Sequence, residues 1–182
     1  MKSPKRDDLI ETALGLFCTH GIHAVGIDRI IEEAGVAKAT LYKHFASKDD
    51  LVIAVLEQMD QLAVEKTRDA AQAASGGPVE SFASLARMTA RGSRHGCIFV
   101  LAAQEFPSAD HPVHRSSREH KRKMRQLYAE LAEVAGATDP AGAAVKAQLI
   151  LDGLYSAGAV CTADGRAAAE HAETLLRELV TQ

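Results

Sequence analysis

Two groups of residues in this chain are of types that do chemistry. The first lies between Ala34 and Ser47, where Lys38, Lys43 and His44 occur with no acid among them, and Lys48 follows at once. Such a segment could hold phosphate oxygens, because phosphate contact depends on local rather than total charge. The formal net charge of −3 therefore does not decide against a polyanionic partner. The second group is His95, Cys97, Glu105, His111, His114 and His120. No two of these histidines stand at i, i+4 and no pair has zinc-finger spacing, so no metal is expected. Nothing in the sequence around Cys97 points to the lowered thiol pKa that a redox switch needs.

Catalytic signatures are missing. There is no Ser-His-Asp order, P-loop, HExxH or dinucleotide motif, and neither an enzyme nor a cofactor is expected. A convergent site around Glu105, His111 and His114 stays open as the enzyme alternative. The segment from Arg115 to Arg125 carries six basic residues and one acid, Glu119. It reads either as a second nucleic-acid patch or as the solvated face of a helix whose buried side is Met124, Leu127, Tyr128 and Leu131.

The elements that must position these residues read as helical throughout. Alanine is abundant, glycine and proline are sparse among the 182 residues, and no run alternates as a strand would. The first helix is predicted from about Pro4 to His20, with Leu9, Ile10, Ala13, Leu14 and Phe17 on one face and Gly21 as its stop. A short second helix covers Ile27 to Ala34 and ends at Gly35. A third starts within two or three residues and holds Leu41 and Phe45. Ser47-Lys-Asp-Asp50 then has the form of a capping box and opens a fourth helix reaching about Ala74. Three short apolar stripes with a glycine turn make a tri-helical helix-turn-helix, and they leave Lys38, Thr40, Tyr42, Lys43 and His44 largely outside. Ala74-Ser-Gly-Gly-Pro78 reads as a loop, followed by helices at roughly 79–92, 97–105, 110–136, 140–162 and 166–181.

Cys18, Cys97 and Cys161 are odd in number and never form a CxxC pair, which suits a reducing compartment rather than a disulfide framework. The N-terminal MKSPKRDDL lacks the apolar stretch of a signal peptide, and no apolar run is long enough to span a bilayer. A cytoplasmic protein without a membrane partner is expected.

The block AGV-x-x-x-TLY-x-HF-x-SK-x-x-L, from Ala34 to Leu51, together with Gly21 to Glu33 before it, resembles the DNA-binding domain of the TetR family of regulators. The resemblance covers about the first quarter of the chain by motif. It implies an all-α fold: a helix-turn-helix domain at 1–50 and a larger helical effector-binding and dimerisation domain at 51–182. It also implies roles. Thr40, Tyr42, Lys43, His44 and Lys48 would hold the DNA backbone, and Lys38 and Ala39 would reach base edges, a lysine suiting guanine and an alanine a thymine methyl. Two positions depart from the family pattern. Where a Ser or Thr commonly caps the second and third helices, this chain has Gly26 and Ala37, so contacts there would fall to backbone amides.

The expected function is a ligand-responsive regulator, a repressor bound as a homodimer to a pseudo-palindromic double-stranded operator and released by a small molecule. The alternative is a helical small-molecule-binding protein or enzyme that has lost DNA binding. Phe82, Met88, Phe99, Gln104, Phe106, Met124, Tyr128 and Tyr155 are the candidate effector contacts, each of the apolar ones also readable as core. Glu105 is a further candidate polar group there. Ala143 to Ala163 and Leu175, Leu176, Leu179 and Val180 are expected to supply the dimer helices, or else to pack within the chain.

Overall fold

The computed structural model describes residues 4–92, 95–160 and 162–181. These form ten α-helices, with no strand among the described residues: α1 (Pro4–His20), α2 (Ile27–Glu33), α3 (Lys38–His44), α4 (Lys48–Ala73), α5 (Pro78–Ala83), α6 (Leu85–Gly92), α7 (Ile98–Glu105), α8 (Pro112–Val134), α9 (Pro140–Val160) and α10 (Thr162–Thr181). The fold is all-α, an N-terminal tri-helical helix-turn-helix followed by a larger helical region. Cys161 lies outside the described residues.

The helix boundaries have local causes. Gly35 takes φ +61°, and at the end of α2 its N–H bonds the Glu32 carbonyl while the Val36 N–H bonds that of Ile31, a Schellman closure. At the start of α4 the Ser47 hydroxyl accepts the Asp50 N–H at 3.1 Å and donates to the Asp50 carboxylate at 2.9 Å. The single helix expected at 79–92 is two. Ser84, buried, turns its hydroxyl back to the Ser81 carbonyl at 2.8 Å and to that of Ala70 at 3.2 Å, and the chain bends there. The break expected near Gly165 lies earlier, since α10 already runs from Thr162.

Contacts divide the chain into two compact units. The first comprises Met1–Asp60 with Ile98–Arg118. Its core is Leu9, Ile10, Phe17, Ile22, Val25, Ile30, Leu41, Phe45, Leu51 and Val55, joined by Ile98, Phe99, Phe106 and Val113, all buried. Thus α7 and the start of α8 fold with the N-terminal helices. The second unit comprises Gln61–Cys97 with Glu119–Gln182. There Phe82, Leu85, Met124, Leu127, Tyr128, Leu151, Leu154, Leu176 and Val180 pack as one cluster, with small residues such as Ala143, Ala144, Ala147 and Ala172 letting the helices approach. Arg177 of α10 grips Glu80 of α5 through two hydrogen bonds of 2.7 and 2.8 Å.

Candidate nucleic-acid interface

Within the first unit α1, α2 and α3 pack on one another. Leu41 is the inward residue of α3 and Phe45 its buried C-cap, with the Arg6 guanidinium 5.3 Å from the Phe45 ring centroid. Anchoring Leu41 and Phe45 inward fixes which face of this two-turn helix points out. That face is Lys38, Ala39, Tyr42 and Lys43, all exposed, with Thr40 and His44 half-buried at its edges. All six residues expected on the third helix are therefore brought together on α3. Lys48 opens α4, half-buried, and its ammonium donates to the His23 carbonyl at 3.4 Å. Burial lowers the Lys48 pKa, and the charges of Glu105 and Asp49 act the other way.

The two expected departures sit where the sequence placed them. Gly26 (φ −80°, ψ 158°) and Ala37 (φ −73°, ψ 148°) are the N-caps of α2 and α3, and neither helix has a side-chain cap. Both caps hold ordinary extended geometry, so the backbone conformation survives without the hydroxyl. Sequence reasoning missed Asp28. Its carboxylate accepts from the Lys38 ammonium at 3.0 Å, an exposed pair that raises the lysine pKa. The i, i+10 spacing crosses a turn and has no helical signature.

The candidate effector residues divide between the two compact units. Phe82, Met124 and Tyr128 share the core cluster of the second unit, where Met88 and Tyr155 are half-buried. Phe99, Gln104 and Phe106 belong to the first unit, and Gln104 is exposed. The Phe106 ring lies 4.6 Å from the rings of both His23 and His111. Glu105 is no free polar group, because its carboxylate accepts the N–H groups of Ile22 and His23.

Among the described residues no three His, Cys, Asp or Glu side chains gather in a way that could hold a metal ion. No helix there is long and apolar enough to cross a membrane. Of the residues expected to form dimer helices, Leu151, Leu154, Leu176 and Val180 turn into their own core, which corrects that part of the set. Leu149, Val160 and Leu175 stay exposed, and Val145 joins them.

Comparison with known proteins gives a consistent result. Residues 9–55 match the family model described as bacterial regulatory proteins, tetR family. Over 162 residues the chain is 30% identical to the HTH-type transcriptional regulator BetI of Rhizobium meliloti, covering 85% of this chain and 78% of that protein. Over 57 residues it is 42% identical to the HTH-type transcriptional activator FasR of Mycolicibacterium smegmatis, a match confined to 31% of this chain and 26% of that one. The fold superposes on the crystal structure of SCO4454, a TetR-family transcriptional regulator from Streptomyces coelicolor, with a TM-score of 0.85, 34% identity and coverage of 97% and 96% of the two chains.

Proposed function

The chain belongs to the TetR family of helix-turn-helix transcriptional regulators, and from that premise we propose that it is a cytoplasmic, effector-released repressor acting as a homodimer on a pseudo-palindromic operator. In this reading residues 1–50 recognise DNA, and 51–182 bind the effector and dimerise. One observation carries the DNA contacts: α3 buries Leu41 and turns Lys38, Ala39, Tyr42 and Lys43 outward together.

Lys38 and Ala39 then meet base edges, while Thr40, Tyr42, Lys43, His44 and Lys48 hold phosphates. Phosphate contact orients the helix in the major groove, and base contact selects the sequence. Dimerisation through α9 and α10 is supported by the exposed apolar side chains Val145, Leu149, Val160 and Leu175, because apolar surface of this kind gains by being covered. Occupying an operator blocks access to it, so repression needs no further partner.

Effector binding is assigned to the second unit, around Phe82, Met88, Met124, Tyr128 and Tyr155, with the phenols supplying polar handles in an apolar lining. Both α4 and α8 contribute residues to each compact unit, which gives an effector-dependent change a covalent route to the DNA-binding helices. Release follows if the effector prefers the conformation that DNA does not.

The test is selection from a random duplex pool. The expected product is an inverted repeat whose half-sites lie one turn apart, about 34–36 Å. Enrichment of a single half-site would contradict the dimer, and failure to enrich any sequence would contradict the reading as a whole.

A further inference from the structure

Resting on the DNA-binding reading above, we infer that Glu105 is a positioning residue for DNA recognition: its carboxylate holds the α1–α2 turn, and with it Lys48, in the arrangement that presents the recognition face. The turn between α1 and α2 begins at Gly21, whose φ of +85° lets the next two N–H groups point the same way. Those of Ile22 (2.8 Å) and His23 both donate to Glu105, one to each carboxylate oxygen. The His23 ring nitrogen Nε2 lies 2.7 Å from the Glu105 backbone carbonyl. A Cβ at Gly21 would stand 2.9 Å from Glu105 Oε1 and would push the carboxylate aside, at a residue whose φ of +85° already favours glycine.

Lys48 completes the arrangement from the other side. Glu105 accepts the His23 N–H while Lys48 donates to the His23 carbonyl, so this one residue has both its backbone groups held by side chains of opposite charge. Charge-assisted bonds of this kind are stronger than neutral ones, and a carboxylate filling two adjacent N–H groups fixes direction as well as distance. Glu105 is itself held. The Phe106 ring packs at a tilt against the rings of His23 and His111, His114 Nδ1 lies 2.8 Å from the Phe106 carbonyl, and His111 Nε2 lies 3.4 Å from Asp49 Oδ2. The segment from Glu105 to His114 thereby grips both the turn entering α2 and the first residues of α4, which bracket α2 and α3 in the chain. All of these residues lie in the first compact unit.

The experiment uses full-length protein and the duplex selected with it, comparing wild type with Glu105→Gln and Glu105→Ala. Glutamine keeps the length and one acceptor but turns an N–H toward a second donor. Operator affinity should fall roughly tenfold for Gln and roughly a hundredfold for Ala. Amide exchange should quicken at Ile22 and His23 by more than the global loss of stability, read from the thermal midpoint, accounts for. Variants that bind within twofold of wild type would overturn the inference and leave the DNA reading intact. Weakened binding with unchanged exchange at Ile22 and His23 would also overturn it. If the Ala variant fails to fold, the Gln variant decides alone. A wild-type protein that binds no duplex would instead overturn the reading on which the inference rests.

Discussion

Lys38 stands at the start of α3 already paired with Asp28. Both side chains are well exposed, so the pair stabilises the fold little, and in the proposed reading its consequence is for DNA: base contact by Lys38 would compete with a carboxylate on the same surface. Asp28→Asn should therefore raise operator affinity, by roughly two- to fivefold at low salt and less as salt screens the charge. A titration at two ionic strengths checks this, and equal or weaker binding by the variant would refute it. In the second unit, burial pushes the Tyr155 phenol up to about 12, with Cys97 and Asp152 adding to the effect, and raises Tyr128 further. Because the folded pKa exceeds the ordinary value of about 10, the neutral phenol's contribution to stability is intact below that pH and is lost as pH rises through 12. The difference in phenolate absorbance between wild type and Tyr155→Phe should show a midpoint near 12, and one near 10 would contradict the burial. At this scale the sequence was legible where a residue acts within its own helix, as for Leu41 and Tyr42. It singled out Glu105 but gave no sign of its bonds to Ile22 and His23, which lie 83 and 82 positions away.

The helices themselves were readable because their ends carry chemistry: Gly21 and Gly35 at positive φ, and Ser47 as a cap. What escaped was the division at Ser84, since a serine inside an apolar stripe marks a bend only when its hydroxyl finds backbone carbonyls to bond. Two substitutions test the helix ends of the recognition motif. Ala37→Ser restores an acceptor for the first N–H groups of α3 and should stabilise the protein by about 1 kcal/mol. Gly35→Ala meets no atom but forces an alanine into the left-handed region, and should cost about 1–2 kcal/mol. Chemical denaturation measures both, and equal stability of either variant with wild type would show that its cap does not act as described.

For the whole molecule, the all-α architecture followed from composition and punctuation, whereas the membership of the compact units did not. Ile98 to Arg118 folds with the N-terminal helices although 37 residues of the other unit, Gln61–Cys97, intervene. Only packing reveals that, because Phe106 and Val113 look like any other core residues in a helical pattern. The apolar residues of α9 and α10 sort the same way: Leu151 and Leu176 are buried, while Leu149 is 69% exposed. If α9 and α10 form the proposed dimer interface, Leu149→Glu should leave the monomer folded and convert dimer to monomer in sedimentation, with operator affinity falling in step. A variant that stays dimeric would place the interface elsewhere.

The central claim is that α3 and Lys48 are the surface that meets DNA. Its most direct test is operator affinity against salt for wild type, Tyr42→Ala and Lys48→Ala. Both variants should bind more weakly at every salt concentration, and Lys48→Ala should lower the slope of log affinity on log salt by about 1, as loss of one phosphate contact does. Affinity and slope unchanged in both variants would mean that the outward face of α3 is not the one that reads DNA.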